Sequence, residues 1–223
     1  MTTTQWSIGM AYQPPNRKMF IALAGNIGCG KTTAAKLISR TFDLELFDEP
    51  VIDNRFLADY YKDMARWSFT LQLEFLIKRT QHHELIARVP KSCIQDRTLY
   101  EDPEIFAKYL HGLGYMDDRE LELYFEDFER LNRDLHRPDK VITFTVDNVD
   151  VLLNRISSRG REEEKEMQAN FLQGLNGFYT AFPSICEKKY GMEVLNLDVS
   201  SMDIRSGEGK GMLLDKVNDF LHH

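Results

Sequence analysis

The sequence predicts an α/β fold, a five-stranded parallel sheet flanked by helices. Three observations predict it. Short apolar runs alternate along the chain with helix-length segments, the order of elements that builds a parallel sheet. A glycine-rich loop, Gly25-x-x-x-x-Gly30-Lys31-Thr32, joins the first apolar run to the first helical segment. Polar clusters follow directly on three of the runs: Gly25 to Thr32, then Asp48-Glu49-Pro50, then Asp96-Arg97-Thr98. In a parallel sheet such clusters meet at the C-terminal ends of the strands.

The elements follow in order. Met19 to Ala24 is an apolar run suited to a buried strand, and Thr33 to Arg40 continues from the glycine loop as a helix. Leu44 to Phe47 is a second strand. Ile52 to Met64 reads as a helix, and a long helix runs from about Trp67 to Ala87, stopped by Pro90. Lys91 to Gln95 is a third strand. Pro103 to Leu110 is a helix with proline in its first turn, punctuated by Gly112 and Gly114. Asp117 to Leu135 is a charged helix with an apolar stripe of Leu121, Tyr124, Phe125 and Phe128. Val141 to Val146 is a strand of high β-propensity. Val149 to Ser157 is helical, and Glu164 to Tyr190 is mostly helical but interrupted around Gly174 and Gly177. Glu193 to Leu197 is the last strand and Met212 to Leu221 the last helix.

The chain has 223 residues, 43% hydrophobic and 28% charged, which suits one soluble domain at 19–223 preceded by an N-terminal extension at 1–18. A net charge of -7 argues against a general nucleic-acid binder. No apolar run approaches a membrane span, and the first residues lack the apolar core of a signal peptide, so a cytoplasmic location is expected. Cys29, Cys93 and Cys186 have neither metal-ligand spacing nor a disulfide framework. Cys29 lies in the glycine loop, where it is either a redox target or a small residue that fits.

The loop carries the first chemistry. Gly25, Gly28 and Gly30 permit backbone angles closed to other residues. Inward-turned amides make a concave anion site, and the helix that follows adds its positive end. Lys31 can reach the terminal phosphates, and Thr32 can ligate the Mg2+ that accompanies them. Asn26, Ile27, Cys29 and Thr33 complete the candidate ATP-binding loop. Asp96 is the candidate metal-linked acid. Arg97 is the candidate group to steady the acceptor oxygen or the phosphate. Glu49 is the candidate general base for an acceptor hydroxyl. Arg155, Arg159 and Arg161 form a second basic cluster, "RISSRGR", that reads as an arginine-containing lid closing over the phosphates or, more blandly, as a solvated charged loop.

Together "GNIGCGKTT", "DEPV", "YYKDMARWSFTLQLEFLIKR", "DRTLYED" and "RGREEE" resemble the deoxynucleoside kinases, from about Phe20 to the C-terminus. The resemblance implies a P-loop kinase fold and ATP-dependent phosphorylation of a deoxynucleoside 5′-hydroxyl. It implies Glu49 as base, Arg97 as its partner at that hydroxyl and Asp96 as the magnesium-linked acid. Tyr61 and Glu164 match positions that bind the sugar 3′-hydroxyl, and Gln72 matches a glutamine that reads the base edge. Arg79 and Asp102 match a charged pair in the base pocket, and Phe75 stacks on or narrows that pocket. Keeping both charges implies deoxyadenosine, deoxyguanosine or deoxycytidine rather than thymidine. "DRTLYEDPEIFAK" is similar to bacterial purine-preferring members, which puts deoxyadenosine first. Thr98 departs from the family's usual serine, and Asn54 from the tryptophan of animal members. The family's habit implies a homodimer.

Two rivals use some of the same residues. A nucleoside monophosphate kinase shares the loop, the Asp-Arg pair and an arginine lid, but it needs extra positive charge for the acceptor phosphate. A nucleotide-sensing binding module needs only the loop. A guanine-reading Asn-Lys-x-Asp is absent from the sequence.

Overall fold

The computed structural model describes residues 12–48, 54–160 and 169–222. Five strands form one parallel sheet in the order β2-β3-β1-β4-β5: β1 (Phe20–Gly25), β2 (Glu45–Phe47), β3 (Cys93–Asp96), β4 (Lys140–Thr145) and β5 (Glu193–Asp198). The central strand β1 pairs with β3 through Phe20↔Cys93 to Leu23↔Asp96, and with β4 through Ile21↔Lys140 to Gly25↔Phe144. These registers bring Gly25 and Asp96 to the same edge of the sheet.

Every residue of β1 is buried, which is why the strand is apolar throughout rather than alternating. The pleat still sorts its side chains. Ile21 and Leu23 join the core packed by α1 (Lys31–Thr41), α6 (Val149–Arg159) and α8 (Gly207–His222). Phe20, Ala22 and Ala24 face the other side. There lie α3 (Met64–Arg88), α5 (Asp118–Asn132) and α7 (Ala169–Tyr190). The two remaining helices, α2 (Leu57–Lys62) and α4 (Lys108–Gly112), are short. Tyr12 packs against the first of these cores: its hydroxyl donates to Asp215 at 2.7 Å, and its ring lies 5.5 Å from that of Phe42.

Several boundaries differ from the sequence expectation. Of the helix expected over Ile52 to Met64, Ile52 and Asp53 lie outside the described residues, and the helix observed is Leu57–Lys62 with Asp63 as its C-cap. Asp63 then caps the next helix by accepting from the Arg66 amide at 3.0 Å, so α3 begins at Met64 rather than near Trp67. The third strand ends at Asp96, one residue later than expected. The helix expected at Pro103 to Leu110 opens as a π-helical turn, Asp102–Ala107, before α4. The charged helix ends at Asn132, short of Leu135, and its stripe buries Tyr124 and Phe128. The last helix begins at Gly207, well before Met212.

The expected interruption at Gly174 and Gly177 is wrong: α7 runs through both. Gly174 is there for space. A Cβ at that position would lie 2.2 Å from the Tyr109 hydroxyl, so only glycine lets α4 and α7 approach this closely. Among the described residues no helix is long and apolar enough to cross a membrane. All three cysteines are free and buried. Burial raises the Cys29 thiol, which makes the packing reading of that residue the better one.

Candidate active site

The glycine loop is built by close packing as much as by turn chemistry. Gly25 ends β1 at φ 154°, and a Cβ there would sit 2.7 Å from Cys29 Sγ and 2.9 Å from the Phe144 carbonyl oxygen. Gly28, at φ 81°, would strike the Leu152 carbonyl oxygen at 2.9 Å. Both glycines therefore serve conformation and contact together. Gly30 is the N-cap of α1, so the helix begins at Lys31 with its first amides at the loop. Lys31 Nζ donates back to the carbonyls of Gly25 at 2.7 Å and Asn26 at 3.1 Å, which holds the ammonium over the loop. Asn26 turns away into the protein, where its amide nitrogen donates to the Leu172 carbonyl at 3.1 Å.

Next to the loop, the Thr32 hydroxyl donates to Asp96 Oδ2 at 2.6 Å. A hydroxyl and a carboxylate beside the glycine loop form a hard-oxygen donor set, which fits Mg2+ better than a soft metal. Arg97 follows in the left-handed region, at φ 72°, an uncommon conformation for a side chain of this size. Its backbone amide still bonds the Leu23 carbonyl at 3.0 Å, extending the β1–β3 ladder, and Phe106 lies against its guanidinium at 5.0 Å.

α3 supplies the far wall. Arg79 Nη1 donates to both Asp102 oxygens, at 2.6 and 2.7 Å, in a pair that is 2% exposed on each side. Burial pushes the Asp102 carboxyl up to about 6, against the pull of the Arg79 guanidinium. The Phe75 ring lies 4.7 Å from that guanidinium. Gln72, two helical turns before Arg79, is buried, and its Oε1 accepts no hydrogen bond from any described residue. An unsatisfied buried amide oxygen is costly unless a ligand supplies the donor.

Most of these residues, though not Gly25, Asn26 or Asp96, line one cavity of about 410 Å³, within the usual range for a small-molecule site. It runs from Gly28–Thr33 and Arg97 to Tyr61, Gln72, Phe75, Arg79 and Asp102. The surfaces expected to hold phosphate and nucleoside are thus continuous. Arg155 and Arg159 also border it. Arg155, however, is held within α6. It donates to the Cys29 carbonyl at 3.2 Å, the Val199 carbonyl at 3.0 Å and the Met202 carbonyl at 3.3 Å, tying the phosphate loop to the segment after β5. Glu49, Arg161 and Glu164 lie outside the described residues.

Sequence reasoning missed several lining groups. Tyr60, Phe106 and Phe171 border the cavity beside the expected residues. So do Asp203, Ile204 and Arg205 from the loop before α8. Glu101 and Tyr179 lie behind Arg97 and bond to it. Glu101 lies in the segment Asp96 to Asp102, four residues after Arg97. Nothing local marks Tyr179, 82 residues from its partner in sequence.

The family model described as deoxynucleoside kinase matches residues 21–222. A deoxyadenosine kinase of Dictyostelium discoideum is 39% identical over 162 residues, which cover 73% of this chain and 65% of that protein. A deoxyguanosine kinase of Bacillus subtilis (strain 168) is 33% identical over 189 residues, covering 84% of this chain and 90% of that protein. Among solved structures, that of deoxyadenosine kinase from M. mycoides with bound dATP aligns at a TM-score of 0.77. It is 28% identical and covers 90% of this chain and 99% of its own.

Proposed function

We propose, because the chain belongs to the deoxynucleoside kinase family, that it transfers the γ-phosphoryl group of ATP to the 5′-hydroxyl of a deoxynucleoside, with deoxyadenosine preferred. One observation carries this reading. The glycine loop with Lys31 and the buried polar readers Gln72, Arg79 and Asp102 border the same cavity, so a nucleoside held by its base can direct its sugar toward the phosphate loop.

The loop amides and Lys31 bind the donor phosphates, and Arg159 adds positive charge at the rim. Thr32 and Asp96 are the residues that would hold Mg2+, which offsets charge on the phosphates and helps set their orientation. Arg97 orients the acceptor hydroxyl, and Glu49 takes its proton. Tyr61 and Phe75 wall the sugar and base, with Glu164 at the sugar 3′-hydroxyl. Gln72 offers an amide donor and acceptor to the base edge, and the Arg79–Asp102 pair offers a second, charged donor and acceptor. That combination suits a base bearing both an exocyclic amine and a ring acceptor. The two relatives above are named for purine deoxynucleosides, which supports deoxyadenosine first and deoxyguanosine second. The product, a 5′-monophosphate, places the enzyme in nucleotide salvage. The enzyme works in the cytoplasm as a homodimer, with Ile77 on α3 and Leu123 on α5, both about half exposed, at the candidate interface.

The test is ADP release with ATP, Mg2+ and each of the four deoxynucleosides in parallel. A purine response, strongest with deoxyadenosine, is expected. Silence with all four, but turnover of a nucleoside monophosphate, would overturn the assignment of Glu49 and the acceptor.

A further inference from the structure

Phosphoryl transfer as described gives the buried acid Glu101 no task. Glu101 is fully buried, and its carboxylate accepts hydrogen bonds from four donors. Oε1 receives the Arg97 guanidinium at 3.0 Å, the Tyr179 hydroxyl at 2.8 Å and the Gly25 amide at 3.2 Å. Oε2 receives the Thr98 amide at 2.7 Å. A carboxylate occupied in this way acts on its partners rather than on substrate.

Those partners span the site. Gly25 is the last residue of β1 and the first of the phosphate loop. Arg97 directly follows β3 in a strained backbone conformation, and its Nη1 donates to the Tyr179 hydroxyl at 2.7 Å as well as to Glu101. The Tyr179 hydroxyl therefore accepts from Arg97 and donates to Glu101, closing a three-membered ring of hydrogen bonds. One turn earlier on α7, Asn176 accepts from Asn26 Nδ2 at 3.4 Å and donates to the Val146 carbonyl at 2.7 Å. A single face of α7 thus touches the phosphate loop at Asn26 and the acceptor arginine at Arg97.

We infer that Glu101 and Tyr179 are positioning residues for the transfer: they hold the Arg97 guanidinium in place and join it to the backbone where the phosphate loop begins, so that donor loop and acceptor arginine keep one geometry. This rests on the placement of Arg97 at the acceptor hydroxyl. Sub-ångström errors in the relative placement of reacting groups are costly, and a left-handed arginine needs fixed partners to keep its side chain in the cavity.

A double-mutant cycle between Arg97→Lys and Tyr179→Phe tests this, read as kcat and KM with ATP and deoxyadenosine. Tyr179→Phe removes one hydroxyl and leaves the ring in the core, and it is expected to lower kcat about tenfold with both KM values within about threefold. In the Arg97→Lys background the same change is expected to cost less than about twofold, because the group it acts through is already displaced. Glu101→Gln should behave like Tyr179→Phe, with a larger loss of stability in urea. If Glu101→Gln fails to fold, the tyrosine cycle stands alone. Equal losses from Tyr179→Phe in both backgrounds, or an unchanged kcat beside a lowered melting temperature, would overturn the inference alone. Full activity of Arg97→Lys would overturn the role of Arg97 and the inference with it.

Discussion

Replacing Asp102 by alanine takes away the carboxylate that receives Arg79 at 2.6 and 2.7 Å, deep in a site where both side chains are 2% exposed. The cost of such a change comes from the charge left behind. Breaking a buried ion pair by removing one member costs about 3–5 kcal/mol, whereas replacing both members by apolar groups is often neutral. The Phe75 ring beside the guanidinium offsets only about 1 kcal/mol of this. For a domain of this size the loss lowers the melting temperature by roughly 10 °C. Arg79→Met with Asp102→Ala should recover most of that stability, and its base preference should move from deoxyadenosine toward thymidine. Urea denaturation of the two single variants and the double, together with ADP release on four deoxynucleosides, reads both effects. A single variant that loses less than about 1 kcal/mol would refute the claim that the pair is desolvated. A stable double variant with unchanged preference would show that the pair does not face the base.

Three further outcomes are expected. Glu49→Gln should bind deoxyadenosine within about threefold of wild type by calorimetry yet lose about 100-fold or more in kcat, and near-normal turnover would remove Glu49 as the base. Asp96→Asn should raise the Mg2+ concentration for half-maximal rate on the order of tenfold, and an unchanged metal dependence would exclude Asp96 from the metal site. Buried His83 donates from Nδ1 to the His136 carbonyl at 3.2 Å, and burial lowers its imidazolium to about 4. The unfolded chain therefore binds the extra proton first, near pH 6.5, so stability falls as pH drops from about 6.5 to about 4, by about 3 kcal/mol in all. His83→Gln should flatten that part of the profile measured by urea midpoints, and an identical slope would place the acid sensitivity elsewhere.

Legibility in the sequence followed distance along the chain. The glycine loop was readable because strand, glycines, lysine and helix start are contiguous, and each has a local reason to be there. Asp96 and Arg97 were readable because a polar pair directly after an apolar run lies at the end of a strand. Gln72, Arg79 and Asp102 were not readable from spacing, since helix periodicity alone assigns them to surface charge or packing. Only the resemblance to a family singled them out, and the fold puts Arg79 and Asp102 in a buried pair and Gln72 beside the same cavity. Gly174 misled for the opposite reason. A helical glycine reads as a break until the Tyr109 ring that fills its missing Cβ is seen. Arg155 read as lid charge, yet its guanidinium ties three carbonyls from two distant segments.

By itself, then, the sequence determined the parallel α/β architecture, the glycine loop between β1 and α1 and the polar pair Asp96-Arg97 at the end of β3, because those depend on burial period and neighbouring residues. Only the tertiary structure decided which helix faces meet there. Tyr179 and Asn176 reach the site because α7 packs across the ends of β1 and β3, where Tyr179 meets Arg97 and Glu101. Buried hydrogen bonds of that kind pair residues by position in space, and no local pattern along a chain encodes a partner 82 residues away.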